Sequence, residues 1–142
     1  MVNIIMQYPV LITRDDNSYT VTFRDIPEAL TCGDTLEDAR DMAADALLTA
    51  MEFYFENHRQ IPLPSKKQKG EELISLPLSV TAKALLLNEM LKQNVSNAEL
   101  ARRLLTRPQD VQRLTNLNHS TKIDTINAAL NQLGKHLEIS IA

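Results

Sequence analysis

Four carboxylates stand close together in "FRDIPEALTCGDTLEDA", residues 23–39: Asp25, Glu28, Asp34 and Glu37. Such a cluster can hold a divalent cation for phosphodiester chemistry, supply an acid–base pair, or simply satisfy turns and a helix start. The other groups able to do chemistry do not gather along the chain. His58, His119 and His136 lie far apart without metal-ligand spacing, and no Cys/His cluster accompanies them. Cys32 is the single cysteine, so no internal disulfide can form, and without an obvious base it fits the role of a small buried hydrophobe. No Gly-rich phosphate loop or Ser/His/Asp arrangement stands out. Neither a metal nor another cofactor is expected.

The elements around the acids decide between those chemistries. "MQYPVLI" is β-prone, with Pro9 favouring an edge or a bulge because it cannot donate to a ladder. Turn-prone Asp15, Asp16 and Asn17 follow. "SYTVTF" then alternates, Tyr19, Val21 and Phe23 against Ser18, Thr20 and Thr22, so the two runs read as a hairpin. "DIPEA" is a loop, "LTC" a short third strand, and Gly33 allows a turn. Thr35 is a good N-cap, and Asp38 three residues on makes a weak capping box. Apolar positions 36, 39, 43, 46, 47, 50 and 54 keep helical spacing through Phe55, while 38, 41, 45, 52 and 56 form an acidic stripe. "NHRQIPLPSKKQKGEE" is loop chemistry and the best boundary in the chain. "LISLPL" can return as a fourth strand. The N-terminal order is thus β-β-β-α-β. No acid sits inside "SYTVTF", which disfavours a catalytic metal site.

The second half has another character. Residues 1–78 carry seven Lys/Arg against thirteen Asp/Glu, a balance of −6, whereas 79–142 carry eight against five, or +3. An acidic half joined to a basic one points to two domains with different partners, a basic protein for one and nucleic acid for the other. Ser79 or Thr81 can cap "VTAKALLLNEMLKQN". Ser96 can cap "NAELARRLL" with Glu99 at the capping-box position, and Pro108 suits the first turn of "PQDVQRLTNL". Thr121 can cap "KIDTINAALNQLG", which Gly134 ends. The tail "HLEISIA" alternates, Leu137, Ile139 and Ile141 against His136, Glu138 and Ser140, and as a lone strand it needs an edge, on the first domain or on another copy of the chain.

"SNAELARRLLTRPQDVQRLTNL" has helix-turn-helix proportions. Ala101 is small where two helices would cross, and Leu100, Leu104, Val111 and Leu114 can form the buried contact. That leaves Arg107, Gln109, Asp110, Gln112 and Arg113 on or near the exposed side. Arg can read guanine and Gln adenine in the major groove. Ser96 and Asn97 open the preceding helix, where backbone N–H groups can meet a phosphate. An ordinary helical bundle with a polar face would carry much the same pattern.

Over nearly the whole chain the motifs resemble a known family. "YPV", then "YTVTFRDIPEALTCGDTLEDARDMAADAL", then "IPLP" resembles the HicB domain, and "ELARRLLTRPQDVQRLTNLNHSTKIDTINAALNQLGK" resembles the Xre/Cro-like helix-turn-helix of HicB antitoxins. The resemblance implies an α+β chain: a partial RNase H-like β-β-β-α-β domain over residues 1–77, with 57–72 as loop, then an all-α helix-turn-helix domain over 78–142 with a dimerising strand at Leu137, Ile139 and Ile141. It implies a non-enzymatic antitoxin that neutralises a HicA-like mRNA-cleaving toxin, binds an inverted-repeat operator as a homodimer or higher oligomer, and represses its operon. One departure is Leu105, where many such turns carry Gly; a positive φ there would strain leucine.

On that reading one toxin-facing candidate is the acidic stripe, with Asp38, Asp41, Asp45 and Glu52; the alternative is the "DIPEAL" loop, with Asp25, Ile26 and Glu28, together with the exposed sheet edge. Asp25 and Asp34 otherwise serve the loop. The alternative is a DNA-binding repressor whose N-terminal domain senses a ligand; a metal-dependent nuclease stands far behind. With no apolar run of membrane-spanning length and no secretory leader pattern, residence in the cytoplasm is expected.

Overall fold

A computed structural model describes residues 6–141. The chain is a mixed α+β protein with a four-stranded antiparallel sheet and five helices among the described residues. It divides into two compact units. One holds the residues up to Phe53 together with Pro62–Leu76, the other Tyr54–Ile61 together with the residues from Pro77 onward.

In the first unit, β1 (Gln7–Arg14), β2 (Tyr19–Phe23), β3 (Leu30–Gly33) and β4 (Glu72–Ser75) pair in the order β3-β2-β1-β4. The register sets Ile12 opposite Val21 and Val21 opposite Thr31, so alternate residues share one face. Tyr8, Val10, Val21 and Phe23 are buried there. Helix α1 (Leu36–Glu56) supplies the facing apolar stripe, with Ala39, Ala43, Leu47 and Met51 each fully buried. Pro9 departs from the expectation of an edge: β1 is an inner strand. Its ladder with β2 begins only at Val10, so Pro9 lies at the end of one of its two ladders. The fourth strand is shorter than expected. Leu76 donates to the Met6 carbonyl just past it, and Pro77 already opens the next helix.

Gly33 has a stronger reason than a turn. A Cβ there would stand 2.5 Å from the Ala39 nitrogen and 2.7 Å from the Ala39 Cα, so the first turn of α1 rests directly on this backbone. Thr35 caps α1, its Oγ1 accepting from the Asp38 N–H at 3.0 Å, and the Asp38 carboxylate accepts from the Asp34 N–H at 3.0 Å. The box is reciprocal but reaches one residue further back than the usual form.

The second unit contains α2 (Leu78–Lys92), α3 (Asn97–Leu104), α4 (Pro108–Leu114) and α5 (Ile123–Asn131). Leu86, Leu100, Ala101, Val111, Ile126 and Leu130 join one buried cluster, with Leu104 and Leu137 packed against it. Ser96 caps α3, accepting from the Glu99 N–H at 3.1 Å, and Pro108 occupies the first turn of α4. Two expected caps are corrected. Helix α2 starts at Leu78 after Pro77, whose fixed φ already sets the entry, so neither Ser79 nor Thr81 caps it. Helix α5 starts after Lys122, not Thr121, and the Thr121 hydroxyl is buried without a hydrogen-bond partner.

The unit boundary also differs from a break at 77/78. Ile61 is buried, donates to the Asn88 Oδ1 at 2.7 Å and accepts from the Asn88 Nδ2 at 2.9 Å. This pair of bonds fixes residues 54–61 to α2.

The tail forms no strand within residues 135–141; Ala142 lies outside the described residues. The Leu137 N–H donates to the Asn127 Oδ1 at 2.8 Å, while Ile139 and Ile141 are 87% and 98% exposed.

Candidate functional sites

The acids of "FRDIPEALTCGDTLEDA" part company in three dimensions. Asp25 is half-buried, and its carboxylate accepts from the Ser65 N–H at 2.8 Å and from the Ser65 hydroxyl. Beside it, the Arg24 guanidinium donates to Glu71 at 2.8 Å and to the Lys66 carbonyl at 3.1 Å. The Arg24 hydrogen bond holds the Glu71 carboxyl below its ordinary range. Together these contacts lock the 65–71 loop against the end of β2. Ile26, expected on a partner-facing loop, is instead wholly buried and belongs to the core. Asp38 works in the α1 cap. Among the described residues no three His, Cys, Asp or Glu side chains gather to hold a metal ion.

A groove of about 450 Å³ lies between β3 and α1. Leu30, Thr31 and Glu28 form one wall; Met42, Asp45, Thr49 and Phe53 form the other, over Ala46 and Ala50. Leu30 is 66% exposed, Met42 38% and Phe53 40%. The loop acid Glu28 and the stripe acid Asp45 therefore line one groove. Asp41 is exposed on α1 but does not line it. This convergence was not readable from the chain, because β3 and α1 carry their contributions on different periods.

In the second unit, Gln109, Gln112, Arg107 and Arg113 are all exposed on or beside α4. Asp110 is turned onto its own helix start: its carboxylate accepts from the Thr106 hydroxyl and, at 3.3 Å, from the Arg107 N–H. Those bonds, the Thr106 one first, hold its pKa below the ordinary value. Arg107 and Arg113 approach it at 3.5 and 3.9 Å, so both guanidiniums flank one carboxylate on an open face. Ser96 is exposed but its Oγ is occupied by the cap; Asn97 is half-buried. On α3, Glu99 is gripped by Arg102 and Arg103 at 2.6 and 2.9 Å, and these hydrogen bonds lower its pKa to about 2.

Behind α4 lies a residue that sequence reasoning missed. Lys83 on α2 is only 3% exposed, and its ammonium donates to the carbonyls of Arg113 at 3.1 Å, Asn116 at 2.7 Å and His119. Three protons meet three acceptors at and beyond the C-terminal end of a helix, where a cation is favoured. Desolvation pulls its pKa below the usual lysine value.

No helix among the described residues is long and apolar enough to cross a membrane. Residues 7–85 match the family described as the HicB-like antitoxin of bacterial toxin-antitoxin systems. Over 134 residues the chain is 60% identical to antitoxin HicB 2 of Photorhabdus laumondii, covering 94% of this chain and 95% of that one. It is 48% identical over 135 residues to antitoxin HicB of Escherichia coli, covering 94% and 98%. It is 36% identical over 140 residues to antitoxin HicB of Pseudomonas fluorescens, covering 98% and 96%.

Proposed function

The chain belongs to the HicB-like antitoxins of bacterial toxin–antitoxin systems, and from that premise we propose that it neutralises a HicA-like mRNA-cleaving toxin and represses its own operon. The first unit, read as a partial RNase H-like fold, carries the toxin contact at the β3–α1 groove. The observation that supports this reading is one groove lined by Glu28 and Asp45 together with exposed Leu30, Met42 and Phe53. An RNA-cleaving protein needs a basic surface for its substrate, and an acidic, partly apolar groove complements such a surface.

The test is co-purification with the basic protein encoded by the neighbouring reading frame. Glu28→Lys with Asp45→Lys is expected to weaken the complex at least about tenfold at low salt. Unchanged retention removes the groove from the reading. Reversing Asp41 alone, outside the groove lining, is expected to do much less.

The second unit, read as a helix-turn-helix, presents α4 to the major groove of an inverted-repeat operator. Arg107, Gln109, Gln112 and Arg113 are the base- and phosphate-contacting set, with Ser96 and Asn97 near the backbone; Asp110 orients the arginines instead of touching DNA. The exposure of those four side chains on or beside one short helix supports it. Replacing Gln109 and Arg113 by Ala should lower sequence preference more than nonspecific binding; equal losses would argue for backbone contact alone. Pairing of Ile139 and Ile141 with a second copy would make the dimer. A chain lacking residues 136–142 that still dimerises and binds operator normally would end that role.

A further inference from the structure

The sheet has two edges, and they are finished differently. At β4, Glu72 is paired with Arg40 at 2.8 Å, and the adjoining Glu71 is paired with Arg24 at 2.8 Å. Charges at an edge discourage another strand from adding there. At β3 the residues are Leu30, Thr31, Cys32 and Gly33, without a Lys, a Pro or an ion pair among them. Its outer edge has no neighbouring strand among the described residues. Leu30 and Thr31 of that same edge strand line the groove.

Resting on the toxin-binding reading above, we propose that the groove takes an extended segment of the basic partner, which adds to the free edge of β3 as a fifth strand. The dimensions agree. From Met42 to Phe53 the groove wall runs eleven helical steps, roughly 16 Å at the usual rise, and five extended residues span about the same length. Main-chain bonds to β3 would fix direction and register, while alternate side chains would turn toward α1. Ala46 and Ala50 leave room there for one apolar side chain between Met42 and Phe53. Asp45, exposed on the α1 wall, sets the charge of that side chain's neighbour. The occupant is therefore a strand alternating an apolar residue with Lys or Arg. Four edge residues offer few main-chain bonds, so the apolar and charged contacts must carry much of the affinity.

The test uses the full chain co-purified with the basic protein of the neighbouring reading frame. Amide exchange by NMR is compared between free chain and complex at Leu30–Gly33, with Glu72–Ser75 as the internal control. We expect the outward-facing β3 amides to slow by about a hundredfold, β4 to stay unchanged, and cross-strand NOEs to link β3 to the partner. A complex that Asp45→Lys weakens, but whose β3 amides exchange as in the free chain without such NOEs, overturns strand addition and leaves the groove standing. A complex indifferent to both Asp45→Lys and β3 overturns the groove itself.

Discussion

Two junctions in this chain treat backbone freedom in opposite ways. At the end of β3, before α1, stands Gly33, whose place is set by space: the Ala39 backbone fills the position of its missing Cβ. Between α3 and α4 stands Leu105, with open solvent around it at 93% exposure but with φ 56° and ψ 44°, a conformation costly for a branched side chain. Helix α2 ends by the same left-handed device at Asn94, a residue that tolerates it, and Gly134 follows α5 at φ 74°. The comparison separates two demands often merged under the word turn. One is steric and is set by the helix turn that follows, at Ala39; the other is torsional and lies in the residue itself.

The largest effect expected is at the first junction. Gly33→Ala should destabilise the chain by about 3 kcal/mol or more, because backbone and not a flexible side chain must move. A urea midpoint within experimental error of the parent would erase the steric half of the comparison. Next comes the clamp behind the second junction. Lys83→Met leaves three main-chain carbonyls without their donor and should cost about 2 kcal/mol, some of the loss offset by removing a desolvated charge. The same variant should loosen amide exchange in residues 113–120 more than in α2. Equal loosening would mean that the ammonium fills space without holding α4.

Smaller and opposite in sign, Leu105→Gly should stabilise by about 0.5 kcal/mol, the relief of left-handed strain exceeding the added freedom of the unfolded chain. A loss of stability would show that the exposed leucine earns its place by contact. Smallest is a pH effect on α3. Glu99 has a folded pKa lowered to about 2, so its contribution is present above the unfolded carboxylate range and lost as pH falls from about 4.5 toward 2. Glu99→Gln should flatten that part of the stability profile in a thermal-melt series.

Much of the fold was legible because its signals are local. Alternation marked Tyr19–Phe23, a 3.6-residue period marked α1, and Ser96 and Pro108 marked the starts of α3 and α4. Torsional strain at Leu105 was foreseen from the residue usually found there. What failed was non-local or ambiguous by a residue or two. Pro9 reads as an edge residue until the staggered ends of its two ladders are known. Thr121 has the side chain for a cap, but the helix starts one residue later, with Lys122 at the N-cap position and no side-chain bond there. Ile26 looks like loop and is core, since its burial depends on packing that no local pattern announces. The groove needs β3 and α1 folded together before Glu28 and Asp45 come to line it. Lys83 gave no warning because its acceptors are main-chain carbonyls 30 to 36 residues away, invisible in side-chain chemistry.

That buried ammonium also makes the second unit report on its own opening. Of seven lysines, Lys66, Lys67, Lys69, Lys92, Lys122 and Lys135 are exposed and Lys83 is not. An amine-acylating reagent should therefore modify six rapidly and the seventh only when α2 and the end of α4 part. Its slow mass increment, followed over time, would act as a clock for that separation. Operator DNA seated on α4 would be expected to slow the clock, and acylation of Lys83 to keep the carbonyls from being reclaimed.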